Sequence, residues 1–179
     1  LHLCDQHLSH MEEDKIDSTD NLLLEVCLAA QYEGDSLRKH HDKYKETNPD
    51  TKSQLCTVLA RSFADIGDII RGKDLYRGDN REKKKLEKNL QNIFKKIQEK
   101  LTGDAQTHYK DATENFYQLR EDWWELNRLE VWKAITCNAW GNTYFRGTCS
   151  KDTASAKNNC QCIDQTVPTY FDYVPQYLR

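Results

Sequence analysis

Three groupings of residues have the types and spacing to do chemistry. Gly67-Asp68-Ile69-Ile70-Arg71-Gly72-Lys73 satisfies G-x-x-x-x-G-K, the opening of a loop whose backbone N–H groups cradle phosphate. That mechanism requires a strand before the loop, a helix after it and a Ser or Thr beside the lysine to hold magnesium. Here the apolar spacing predicts a helix before and a loop after, and Asp74 puts a negative charge where the hydroxyl belongs, so the nucleotide site is rejected. Asp65 and Asp68 stand three apart like a carboxylate dyad, but no base, nucleophile or ligating histidine is spaced to join them. They read as helix-surface charges, with Arg61 four residues before Asp65 as a solvent-side partner. The third grouping is sulfur. Seven cysteines, four of them from Cys137 to Cys162, suit an oxidising compartment, and the odd count leaves one unpaired within the chain. Cys160-x-Cys162 is spaced too closely for a zinc pair and has no histidine nearby. No catalytic constellation, cofactor site or metal site emerges.

Charge offers a binding feature instead. Residues 71–100 hold eleven Lys or Arg against five Asp or Glu, a local balance of +6 in a chain of net −3. Arg81, Lys84, Lys88 and Lys95 line up opposite Leu86, Leu90, Ile93 and Ile97, a cationic track along which a sulfated polysaccharide could lie. The plain alternative is that these side chains solvate a helix. The overall negative charge gives no whole-protein attraction to nucleic acid or to an anionic membrane. No run of about 18 apolar residues predicts membrane insertion, and the N-terminus has neither the basic start nor the apolar core of a signal peptide. There is also no N-x-Ser/Thr acceptor, which for a secreted protein suits an organism that uses little N-glycosylation.

The elements that must position these groups are all helical. With 179 residues, seven glycines and three prolines, the chain reads as one all-α domain or most of one. Ala105 to Cys137, without Pro or Gly, predicts a central helix about 50 Å long. Its first half carries Tyr109, Ala112, Phe116, Leu119, Trp123 and Leu126 on one face, while Trp124, Leu129, Val131, Trp132 and Ile135 point to several sides, as in the middle of a bundle. Residues 1–17, with exposed histidines at His2, His7 and His10, are expected to form an irregular lead-in. Ser18 or Asp20 caps a helix bearing Leu22, Leu23, Val26, Cys27 and Ala30, Gly34 stops it, and a short polar helix runs from Ser36 to about Lys45. Asn48-Pro49 marks a turn. A helix over about 51–71 buries Leu55, Val58, Leu59, Ser62, Ile66, Ile69 and Ile70 and ends at Gly72. Asp79 or Asn80 caps another through Leu101, with Gly103 after its end. The short connection predicts an antiparallel hairpin with the central helix. The helical core spans about 18–137, a cysteine-rich loop 138–166, and an aromatic segment opens a further helix over 167–179.

Several blocks in this order carry a family likeness: NLLLEVCLAAQYEG at 21–34, LCTVLARSFADIGDIIRGKDLY at 55–76, Trp123-Trp124 through Asn127-Arg128 to Val131-Trp132, AITC at 134–137, Tyr144-Phe145-Arg146, and Val167 to Arg179. Together they resemble the Duffy-binding-like alpha domain of the variant erythrocyte membrane proteins of Plasmodium falciparum, over about residues 1–179. The resemblance implies a partial domain of a disulfide-pinned helical adhesion module. It would be displayed on the outer face of the infected erythrocyte, antigenically variable, and anchored by parts of the protein outside this chain. Its implied partners are an erythrocyte receptor or glycan (heparan sulfate, a blood-group sugar or a complement receptor type) with rosetting as outcome, and antibodies. It implies no enzyme activity. A structural spacer that positions neighbouring adhesion domains is the alternative. Under this reading the cationic track becomes a heparan-sulfate contact, and disulfides are preferred to metal. Cys137 is expected to pair with Cys160 or Cys162 and Cys149 with the other. Cys27 and Cys56, both on buried stripes, staple two helices, and Cys4 seeks a partner before Leu1.

Overall fold

The computed structural model describes residues 6–51, 54–75, 81–142, 148–149 and 159–179. Six α-helical segments are found there: α1 Gln6–Ser9, α2 Thr19–Thr47, α3 Leu55–Arg71, α4 Arg81–Lys100, α5 Gly103–His108 and α6 Tyr117–Ile135. Among the described residues there is no strand; an isolated bridge joins Asn142 and Asn159. No helix among them is long and apolar enough to cross a membrane.

α2 starts where Ser18 accepts the Asn21 N–H at 3.2 Å, which satisfies one of the orphan donors of the first turn. It does not stop at Gly34. The expected two helices are one, because Gly34 is buried mid-helix where α2 crosses the end of α6, and a Cβ there would overlap the Ile135 carbonyl. The glycine serves close approach rather than termination. α3 does end at its glycine. Gly72 takes φ +73° and its N–H returns to the last carbonyls of the helix. α6 runs against both α2 and α3. Its fully buried Trp124 and Trp132 each lie 5.2 Å from the Phe63 ring of α3, while Trp123 meets Phe94 of α4 edge-on at 6.2 Å.

The continuous central helix from Ala105 to Cys137 is not formed. α5 ends at His108, and a turn precedes α6 with Glu114 and Phe116 at positive φ. The Asp111 carboxylate explains it, accepting from the Thr113 N–H at 2.8 Å, the Thr113 hydroxyl at 2.7 Å and the Phe116 N–H at 2.9 Å. An aspartate that binds backbone ahead of it competes with helix. The break lets Phe116 enter the core and turns α6 so that Leu126, placed by periodicity on the buried face, is 83% exposed. α6 therefore does not lie along α4 as an antiparallel hairpin; its main partners are α2 and α3. Asp111→Ala should lose about 1 kcal/mol of stability, the usual cost of removing such a side-chain cap. The same hydrogen bonds, first those from Thr113, hold the Asp111 carboxyl below the usual aspartate range. Its contribution is thus present above the unfolded pKa of about 4 and is lost as pH falls through the folded value. Urea unfolding of wild type and variant at pH 7 and pH 3 should show the gap closing at the lower pH.

Residues 8–17 pack into the fold rather than forming an irregular lead-in. Leu8, Met11 and Ile16 are buried, and the stretch is tied to α4 by Asn92 donating to the Glu13 carboxylate at 2.9 Å and Lys96 to the Glu13 carbonyl at 2.8 Å. His10 is exposed; His2, and the side chain of His7, lie outside the described residues, as does the expected cap at Asp79 or Asn80. The segment 167–179 opens no α-helix but two 3-10 turns, Phe171–Tyr173 and Gln176–Leu178.

The disulfides correct the expected pairings of Cys137, Cys27 and Cys56, while Cys149 takes one of its two expected partners. Cys56 bonds Cys160 across 104 residues, with Cα atoms 5.5 Å apart, and Cys149 bonds Cys162. Cys27 and Cys137 carry free thiols. Cys56 faces the loop after α6 rather than α2, whereas Cys27 sits at the margin of α2 toward Glu130 of α6, and Cys137 follows α6 toward Asp35 of α2. Burial pushes the Cys27 thiol up to about 11 and raises that of Cys137, so neither forms thiolate readily. Cys4 lies outside the described residues.

Candidate adhesion surface

Four residues proposed for glycan contact lie on α4, and the structure divides them. Arg81, Lys84 and Lys88 are exposed, joined by exposed Lys85, so that i, i+3, i+4 and i+7 form one face about 10 Å long. Lys95 is on the same side, but its Nζ is 2.6 Å from the Glu114 carboxylate in the turn created by Asp111. Three further α4 cations are also drawn to acids or carbonyls: Lys83 to Asp74 at 3.3 Å, Lys96 to the Glu13 carbonyl at 2.8 Å, and Lys100 to Asp17 at 2.8 Å. The expected straight track is therefore shorter, concentrated at the N-terminal two turns of the helix.

What fixes this face is a buried arginine. Arg120 of α6, fully buried, donates to both Glu87 oxygens at 2.8 and 2.9 Å and to the carbonyls of Ile70 and Ile69 at 2.6 and 3.2 Å. The bidentate pair joins α4 between Lys84 and Lys88 to the end of α3 and the start of α6. Nothing in the sequence marked Arg120, because an isolated arginine in a charged helix reads as surface. Its only signal was position: four residues before Trp124, on the side of α6 that also carries buried Phe116 and Trp123.

A second buried ionic cluster anchors the C-terminal segment. Asp172 accepts from Trp124 Nε1 at 2.9 Å and from Arg128 Nε and Nη2 at 2.7 Å each, and its carbonyl accepts from Arg71. Arg128 lies over the rings of Tyr170 and Tyr173, at 5.6 and 5.0 Å. Asp65 and Asp68 join this cluster and are not helix-surface charges. Asp68 is buried against Arg71 at 3.1 Å and Arg179 at 2.5 Å, and Asp65 takes Arg179 at 2.9 Å in place of the expected Arg61. Burial pushes both carboxyls above the usual aspartate range, against the pull of Arg179. Raised carboxyls favour folding when protonated, so the gain is full below about 4 and lost as pH rises through the folded values. These three ion pairs set position more than they add stability at neutral pH.

The phosphate-loop motif has no room for phosphate. Gly67 to Arg71 lie inside α3 and Gly72 caps its end, and a Cβ on Gly67 would come 2.7 Å from Trp124 Cζ2. Lys73 pairs with Glu121 at 2.5 Å. Among the described residues, no group of three or more His, Cys, Asp or Glu is placed to hold a metal ion. What this arrangement presents is a locally cationic helix face on a disulfide-bonded scaffold.

The family model described as Duffy binding domain matches residues 1–179. Among solved structures, the NTS-DBL1-alpha and CIDR-gamma double domain of PfEMP1 from the Plasmodium falciparum varO strain is 41% identical, with a TM-score of 0.83. The match covers 99% of this chain and 25% of that one. The ICAM-1-binding DBLbeta domain of PfEMP1 IT4var13 is 33% identical with a TM-score of 0.70, covering 99% and 39%. A further PfEMP1 DBLb domain, bound to human ICAM-1, is 31% identical with a TM-score of 0.65, covering 99% and 34%. The chain thus spans between a quarter and two fifths of these solved chains. No curated protein matches it.

Proposed function

Because the chain belongs to the Duffy binding domain family, we propose that it is part of a host-receptor adhesion module displayed on the infected erythrocyte, held there by parts of the protein outside residues 1–179. Receptor-bound relatives support this reading, since two DBL-beta structures are bound to ICAM-1, the human protein in one of them. For this chain the ligand class is a sulfated glycan such as heparan sulfate on the erythrocyte surface, with rosetting as the cellular outcome. The observation that carries the glycan is the exposed group Arg81, Lys84, Lys85 and Lys88, concentrated on one helix face of a chain with net charge −3. Several clustered cations neutralise several sulfates at once, releasing counterions and making retention steeply salt-dependent, and repeated weak contacts favour multivalent engagement. A red-cell protein receptor or blood-group sugar would use the same module without needing this face. A variable adhesion surface is also what antibodies would meet.

The test is heparin retention of the complete domain with Arg81→Glu, Lys84→Glu and Lys88→Glu together. Retention at physiological salt should fall sharply with helicity unchanged, and the salt slope should drop by about one per lost contact. Adding Lys95→Glu should change retention less, because Lys95 is already engaged by Glu114. Unchanged retention in the triple variant would remove the glycan assignment from this face. Absence of saturable binding to erythrocytes, to ICAM-1 and to sulfated glycans would leave the spacer reading.

A further inference from the structure

α2 buries one side and shows large apolar side chains on the other. Leu22, Val26, Ala29, Ala30 and Glu33 are all buried toward α3 and α6. On the opposite side Leu24, Leu28 and Tyr32 follow one another at four-residue steps and are 58%, 39% and 54% exposed. Four-residue steps keep side chains in one row of a helix, so these three make a stripe about 12 Å long. Single exposed apolar residues need no explanation, but an outward helical stripe is the form in which helices dock on other elements. A helix meeting water on this side should be polar there, and farther along α2 it is, at Lys39 and Lys43.

We infer that the Leu24–Leu28–Tyr32 stripe is the seat of an amphipathic helix from the part of the same domain that lies outside residues 1–179. The matched DBL-beta structures are each described as one domain, yet this chain covers only 34% and 39% of them. The elements of one domain bury their apolar faces against one another, and more than half of such a domain is left to do so here. The cationic face proposed for the glycan belongs to α4, so a host ligand there leaves this stripe uncovered. Charge sets the orientation of the occupant. Asp20 and Glu25 flank the stripe at its start and Arg38 and Lys39 at its end, which calls for cations over the first and acids over the second.

The experiment uses the complete domain. Tyr32 and Tyr44 are on the same helix and are 54% and 50% exposed in residues 1–179 alone. Hydroxyl-radical footprinting read by mass spectrometry should label Tyr32 several-fold less than Tyr44, and equal labelling would overturn the inference. A photo-crosslinking phenylalanine in place of Leu28 should join peptides outside 1–179 within the same molecule. Crosslinks confined to residues 1–179, to a second copy, to an added receptor or to nothing would overturn it. Should the Leu28 variant fail to fold, the footprint of the unmodified domain decides.

Discussion

Replacing Gly34 by alanine is expected to destabilise the domain by about 2–4 kcal/mol, the upper part of the range for forcing atoms into a filled core. The added methyl would overlap the backbone carbonyl of Ile135, not the far end of a flexible side chain, so relief requires α2 and α6 to part. Alanine otherwise favours a helix interior over glycine by about 1 kcal/mol, so a purely local view predicts the opposite sign. Urea unfolding followed by tryptophan emission gives the answer directly, since Trp124 and Trp132 are fully buried on α6. A stability gain would show that the two helices are not in contact at this crossing. For comparison, Gly103→Ala meets nothing within 4 Å and pays only for its φ of +61°, which is worth about 1 kcal/mol.

Asp172→Ala is expected to be at least as damaging, about 3–5 kcal/mol, the cost of leaving a buried ionic partner uncompensated. The carboxylate is fully buried and is the acceptor for Trp124 Nε1 and for two nitrogens of Arg128, whose own side chain is 12% exposed. Removal strands a guanidinium and an indole N–H between α6 and the C-terminal segment. Of a total stability of about 5–15 kcal/mol, that loss is enough to release residues 167–179 or to unfold the domain. Hydrogen exchange should show the segment losing protection. The double variant with Arg128→Met should recover a large part of the loss, because the unpaired charge is gone. A single-variant loss below about 1 kcal/mol would mean that water takes over the role of the carboxylate.

Much of the architecture was legible where periodicity and caps agree. The stripes of α3 and α4 are present except for half-buried Val58 and Leu101, as are the Ser18 cap and the Gly72 stop, although α3 begins at Leu55 rather than about 51. Gly34 and Gly72 show the limit of the same signal. Both glycines follow an apolar helical run; one ends its helix and the other lies against a neighbour more than a hundred residues away. The central helix failed for a related reason, since Asp111 looks like an ordinary helix-surface acid until its bonds to Thr113 and Phe116 are seen. Likewise, Lys95 is indistinguishable from Lys88 in sequence, and only the turn before α6 brings Glu114 to it.

The sequence by itself determined the helical class, the buried faces of α3 and α4, the cationic excess over residues 71–100 and the family. These are written in local spacing, where each residue's neighbours lie within a turn or two. Only the tertiary structure decided which cysteines join, that Arg71 and Arg120 are buried and Arg128 and Arg179 partly buried in ionic clusters, and that Asp65 and Asp68 belong to one of them. A disulfide between Cys56 and Cys160, or a bond from Arg71 to Asp172, joins residues about a hundred positions apart. A buried charge needs a partner, and where that partner comes from far along the chain its arrival is fixed by how the helices cross, which no local pattern records.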